Sequence, residues 1–234
     1  MHTPPTTEPA RTKVFGIGLN KTGTKTLGRH LKGWGYRHRS YDSDTVTESP
    51  SFDLYRADRI DDLLDMLEDV DSCEDWPWPL LYRELDARYP DAKFVLTVRS
   101  SPEAWYRSLC NMAVRIGPLP LYERSVYGSA MPQGRKREHI ALYEAHNEAV
   151  EAHFADRPGK LLTLCWKTEP DASRLADFLG LEGVDVSTEH VNRSPSRVYD
   201  GDRLWWAHVH RVGYQRVWGP GTIGHRLMRR LGGR

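Results

Sequence analysis

The stretch Lys13-Val14-Phe15-Gly16-Ile17-Gly18 runs without a break into Leu19-Asn20-Lys21-Thr22-Gly23-Thr24-Lys25-Thr26, and no other feature constrains the fold as strongly. The first part is a short apolar strand. After the polar loop, Leu27, Leu31 and Trp34 recur at helical spacing and stop near Gly35. Strand, Gly/Thr/Lys loop and helix together open a βαβ unit. A turn of this kind aims unpaired main-chain N–H groups at one spot, where the helix dipole adds roughly half a positive charge. Lys21 and Lys25 add full charges and the three threonines add hydroxyl donors, so a phosphate is the natural occupant. The competing reading is an ordinary helix start with two solvated lysines.

The rest of the chain continues the alternation. Residues 1–12 are rich in Pro and Thr and read as a loose tail. Residues 53–70 read as one amphipathic helix with a strongly acidic outer face, and 77–89 as another helix. Lys93-Phe94-Val95-Leu96-Thr97-Val98-Arg99 is a continuous apolar run, as in a central parallel strand covered on both faces. A helix is expected from Pro102, behind Ser100 and Ser101. Residues 117–134, broken by Pro and Gly, read as a loop over a site. A long helix over 135–155, a strand over 160–165 and a helix over 171–179 stopped by Gly180 complete the pattern. The expectation is a single α/β domain over 13–234, three layers α/β/α around a parallel sheet. Its ligand would lie beyond the carboxyl ends of the strands.

Composition narrows the partners. The 234 residues carry 33 Lys and Arg against 32 Asp and Glu, a net charge of +1. A general nucleic-acid binder would show a marked basic excess. Cys73, Cys110 and Cys165 stand far apart with no metal-ligand spacing, which points to reduced thiols and no structural zinc. With no apolar leader and no run of membrane-spanning length, the compartment expected is the cytoplasm.

Gly18 and Gly23 have the spacing of a Walker A loop, but Thr24 separates Gly23 from Lys25-Thr26, and Lys21 precedes the last glycine. No apolar strand ends in an aspartate that would hold Mg²⁺; the best one ends in Arg99. Lys21-Thr22-Gly23-Thr24 instead resembles the 5′-phosphosulfate loop of sulfotransferases. Asp75-Trp76-Pro77, Tyr82-Arg83-Glu84-Leu85, Tyr89-Pro90, the 93–99 strand and Trp105-Tyr106-Arg107-Ser108 follow in the order seen in the small P-loop-like sulfotransferases. Phe178-Leu179-Gly180 and His190-Val191-Asn192 extend the likeness to about residue 195.

That resemblance implies 3′-phosphoadenosine 5′-phosphosulfate as sulfuryl donor and no metal. It places Lys21 at the oxygen bridging phosphate and sulfate, with Thr22, Gly23, Thr24, Lys25 and Thr26 around the 5′-phosphate. It gives the 3′-phosphate to Arg99. The family's second contact is a serine eight residues on; that position is Arg107 here and the serine is Ser108, one later. We assign Ser108, with Arg107 as the alternative. Asp75 occupies the place of the base that takes the acceptor's proton, although an aspartate before Trp76-Pro77 also suits a helix cap. Two rival functions stay open: a P-loop nucleotide kinase or NTPase, and a non-catalytic nucleotide-binding module.

The acceptor expected is a hydroxyl or amine on a small molecule, sugar or lipid, with no nucleic acid and at most a peripheral membrane contact. Residues 196–234 interleave tryptophans with arginines and read as a C-terminal helical extension. His30, His38, His139, His146 and His153 read as exposed helix-face or loop residues. The oligomeric state is not legible.

Overall fold

The computed structural model describes residues 11–40, 50–116, 119, 121–169 and 171–187. His190, Asn192 and the segment 196–234 lie outside the described residues. The chain divides into two compact units, Met1–Ser100 with His146–Val191, and Ser101–Ala145 with Asn192–Arg234.

The first unit is built on five parallel strands: β1 (Val14–Gly16), β2 (His38–Arg39), β3 (Ser72–Cys73), β4 (Lys93–Thr97) and β5 (Leu161–Leu164). Their order in the sheet is β2-β3-β1-β4-β5. In register, Phe15 stands between Cys73 on one side and Phe94 on the other, and Phe94 pairs onward with Leu161. Side chains alternate across the pleat, and both faces are covered. Phe15, Cys73, Phe94 and Leu96 pack with Leu63 and Leu64 of α3 (Ile60–Asp65), Trp78 and Leu81 of a 3-10 turn (Trp78–Leu81), and Leu85 of α4 (Tyr82–Arg88). Val150 and Phe154, from the C-terminal end of α7 (Lys136–Phe154), close that layer. On the other face Val14, Val95, Leu162 and Leu164 meet Leu27 and Leu31 of α1 (Thr24–Gly33) and Leu175 and Ala176 of α8 (Ser173–Leu179). Helices on both faces of an all-parallel sheet make the three-layer α/β/α arrangement expected from the sequence.

The ends of α1 follow from local chemistry. At its C-terminus Gly35 takes φ +82°, its N–H reaches the Lys32 carbonyl, and the Tyr36 N–H reaches Leu31. These two bonds form a Schellman closure, which needs a left-handed residue at this point and finds glycine. His30 and Lys32 in the last turn favour the negative end of the dipole.

Several expectations are corrected. Residues 53–70 do not form one helix: α2 (Pro50–Arg56) and α3 are separated where Asp58 turns left-handed at φ +56°. The 77–89 helix divides into the 3-10 turn and α4. Residues 117–134 are not only a loop, since α6 (Leu121–Tyr127) lies within them. β2 and β3 were not expected at all; each is too short and polar to carry a pattern, and pairing defines them. None of the five histidines read as exposed is exposed.

In the second unit, α5 (Pro102–Ile116) starts at its proline as expected, with the Ser101 hydroxyl accepting the Ala104 N–H. Trp105 stacks on Tyr143 with centroids 4.6 Å apart and packs against Tyr127. The Tyr106 hydroxyl donates to the Pro132 carbonyl, and the Gln133 amide to that of Cys110. His139 is fully enclosed and contacts Tyr106 and Tyr127.

Candidate active site

Strand order reverses beside β1: α1 leads the chain out toward β3 and β2, and the later connection returns on the far side to β4. A crevice opens at such a reversal beyond the carboxyl ends of the strands. Here three neighbouring strands deliver three of the predicted residues to that edge. β1 leads into the loop with Lys21, β3 into Asp75, and β4 into Arg99.

Sequence dictates the loop's path. Gly18 passes so close to β4 that a Cβ would lie 2.3 Å from both the carbonyl oxygen and Oγ1 of Thr97. Thr22 is buried, and its hydroxyl donates to the Leu19 carbonyl at 2.6 Å while sitting 2.7 Å from Thr97 Oγ1. Its side chain therefore pins the loop to the sheet, and what it offers a ligand is main chain. Lys21 is left-handed at φ +68° and Gly23 at φ +103°. A non-glycine residue held in that region marks a backbone that its surroundings determine.

Gly23 caps α1 with no side-chain bond to the first turn, and no acidic residue lies in that turn. The helix's own first turn thus supplies no anion to its positive end. Thr24 and Thr26 are buried at this end and Lys25 is exposed. These features fit a phosphate-bearing nucleotide held by main-chain N–H groups and lysines. The Trp166 indole underlies the loop: a Cβ on Gly23 would come within 2.4 Å of its Cδ1. Trp166 in turn stacks on His30.

Arg99 donates from Nε to the main-chain carbonyl of Lys21, joining the two residues that the sequence assigns to opposite ends of one ligand. Asp75 is left-handed at φ +69°, lies two residues past the end of β3 and precedes a cis Trp76-Pro77 peptide bond. Its Oδ1 accepts the Trp76 N–H at 3.0 Å. The residue keeps partial solvent contact while its carboxyl is crowded by protein. Burial, and next the charge of Glu74, raise its pKa to about 7; the Trp76 N–H and the charges of Lys25 and Lys21 oppose the rise. Asp75, Lys21 and Lys25 are therefore electrostatic neighbours. A carboxylate half-ionised near neutral pH is suited to taking a proton. The helix-cap reading is not realised, since no side chain caps the 3-10 turn and Asp75 contributes its carbonyl, bonded by the Trp78 N–H.

Ser108 and Arg107 lie in the second unit on α5, the serine buried and the arginine exposed. Among the described residues no three His, Cys, Asp or Glu side chains gather as a metal-ligand group. No helix among them is long and apolar enough to cross a membrane.

Three residues escaped the sequence reading. His146 donates from Nε2 to the Ile17 carbonyl at 2.8 Å, and burial lowers its pKa so that it stays neutral in that role. Glu74 has no exposed surface, and Thr97 locks the loop. Only Glu74 left a trace in the sequence, as the acidic neighbour of Asp75.

An α/β protein with a phosphate-type loop at the switch point of a parallel sheet is the class that this geometry defines. Residues 13–124 match the family model described as a sulfotransferase domain, and over that stretch the chain is similar to sulfotransferases. The chain is also similar to Ava biosynthesis cluster protein M of Aspergillus versicolor, 30% identical over 117 residues. The alignment covers 44% of this chain and 44% of that relative, so the chain spans less than half of the relative's length.

Proposed function

We propose that the protein transfers the sulfuryl group of 3′-phosphoadenosine 5′-phosphosulfate to a hydroxyl, or an amine, of a small-molecule, sugar or lipid acceptor. The observation that carries this reading is the arrival of Lys21, Asp75 and Arg99 at the carboxyl ends of three adjacent strands. The three unbridged cysteines fit a reducing compartment such as the cytoplasm.

In the proposed step, an acceptor oxygen forms a bond to sulfur as the bond from sulfur to the phosphate oxygen breaks. That oxygen keeps the electron pair and gains negative charge. Lys21 stabilises it electrostatically, an effect strongest where the charge develops. Asp75 takes the acceptor's proton. The N–H groups at the start of α1, with Lys25, hold the 5′-phosphate, and Arg99 holds the 3′-phosphate. A sulfuryl group carries less charge than a phosphoryl group, so a lysine and main-chain donors suffice in this scheme without a metal.

Calorimetric titration with adenosine 3′,5′-bisphosphate, ADP and ATP–Mg²⁺ tests the donor. Preference for the bisphosphate, lost in Arg99→Ala, is the expected result. Preference for ATP–Mg²⁺, or indifference to the 3′-phosphate, would replace this reading with a nucleotide kinase.

A further inference from the structure

A second carboxylate immediately precedes the candidate base in the chain. Glu74 is completely buried, and it stands between the sheet and α1: a Cβ on Gly16 would come within 2.8 Å of both the Glu74 Cβ and Leu27 Cδ2. Its Oε1 accepts the Ser40 hydroxyl at 2.5 Å, and its Oε2 has no hydrogen-bond partner among the described residues. His38 lies 3.9 Å away through Nε2, with its side chain as deeply buried as that of Glu74. The imidazole is fixed on both sides. Its Nδ1 is 2.8 Å from the Ser72 hydroxyl, and the ring rests on Gly28, where a Cβ would approach Nε2 to 2.5 Å.

A buried acid with one neutral hydrogen bond is expensive to keep. Packing does not require it, because Leu27 and Gly16 supply an apolar setting on the same face. Its negative charge is felt by both chain neighbours. The Cys73 thiol is pushed well up, first by burial and then by Glu74, and Asp75 is affected in the same order of causes. Asp75 is faced by Glu74 from its own strand end and by Lys21 and Lys25 from the loop and α1. Glu74 is faced by His38 and Ser40 from β2 and its continuation.

We propose that Glu74 is a positioning residue for the reaction: its buried carboxylate, anchored by Ser40 and flanked by His38, supplies the negative charge that makes Asp75 a better acceptor for the proton of the attacking group. Burial raises the proton affinity of Asp75 first and Glu74 adds to it, against the two lysines, since ammonium groups near a carboxylate favour its ionised form. The site thus keeps cations for the phosphates and a basic carboxylate beside them. The inference rests on Asp75 being the base, and its test separates the two claims.

Carboxyl-selective ¹³C NMR of the full chain follows the Asp75 carboxyl through a pH titration, in the wild type and in Glu74→Gln, which retains an acceptor for Ser40. In the wild type Asp75 is expected to titrate near 7. In the variant its midpoint should fall by about one unit or more, the scale of a like charge removed at close range. A wild-type midpoint in the ordinary aspartate range, or an unchanged midpoint in Glu74→Gln, overturns the inference. If Glu74→Gln does not fold, Glu74→Leu, uncharged and close in volume, is titrated in its place, and its Asp75 midpoint must drop by the same amount. No drop overturns it equally.

The acid limb of kcat/KM should move with the Asp75 resonance, while affinity for adenosine 3′,5′-bisphosphate stays within about twofold of wild type, as expected for a residue that does not touch the donor. A limb that stays in place while the resonance moves upholds the coupling and instead removes Asp75 as the base.

Discussion

The Nε of Arg99 donates to the main-chain carbonyl oxygen of Lys21, so the cation ending β4 holds the loop that follows β1. A guanidinium makes this bond through one N–H of a planar group whose geometry also matches a phosphate, which an ammonium does not. Arg99→Lys keeps the charge and loses that geometry. We expect adenosine 3′,5′-bisphosphate to bind about ten- to a hundredfold more weakly in Arg99→Lys, with ADP affinity changed little. Calorimetry with the two nucleotides checks this, and equal losses for both would deny Arg99 a role at the 3′-phosphate.

Lys21 is assigned to charge that appears only as the sulfur–oxygen bond breaks. Its removal should therefore lower kcat more than binding. For Lys21→Ala the expected loss in kcat is about 10²–10³-fold, with bisphosphate Kd rising less than about tenfold. Steady-state rates compared with equilibrium titration decide the matter; parallel losses would mean that Lys21 only binds.

Asp75 carries a pKa of about 7 against an ordinary 3.8, so the folded chain holds this proton more tightly than the unfolded chain. The resulting stabilisation is complete below about pH 3.8 and is lost as the pH rises through 7. Asp75→Asn keeps an acceptor for the Trp76 N–H and no longer titrates. Urea unfolding should show the variant gaining on the wild type between pH 5 and pH 8. Its sulfuryl transfer should fall about 10²–10⁴-fold, as for loss of a general base.

Gly23→Ala meets two obstacles, a φ of +103° and a contact of 2.4 Å with Trp166 Cδ1. Together they should lower stability by about 2–4 kcal/mol, and nucleotide binding with it. Adding Trp166→Leu relieves the contact and not the backbone. The double variant should be less destabilised than the sum of the single changes, as read from denaturant midpoints.

Asp86 gathers three basic side chains in the first unit: Arg157 at 2.5 Å, His153 at 2.8 Å and Lys160 at 3.3 Å. Burial works to raise its pKa, and the hydrogen bonds from these three outweigh it and hold the carboxyl below its usual value. Its contribution is present above the ordinary 3.8 and is lost as the pH falls through the lowered value. Asp86→Asn should cost about 1–3 kcal/mol at pH 7 and less near pH 3, measured by urea unfolding at both pH values.

Local pattern in the sequence was enough for much of this protein. The apolar run before Gly18, the 93–99 strand, the helical spacing of Leu27 and Leu31, and the stops at Gly35 and Gly180 each carry their signal within a few residues. Strand, loop and helix in that order imply a parallel sheet and a phosphate-type loop, because period and turn chemistry are local properties.

Tertiary structure alone decided the neighbours of Asp75. β3 is two residues long and polar at one of them, and it becomes a strand only by pairing with β1 and β2. That pairing sets Asp75 beside the loop, buries Glu74 and His38 behind it, and raises the proton affinity of a carboxyl that looks ordinary in the sequence. The inward turn of the Thr22 hydroxyl and the use of His146 as a support for Ile17 depend equally on residues distant along the chain. Burial and charge coupling are sums over such neighbours, which a linear reading does not contain.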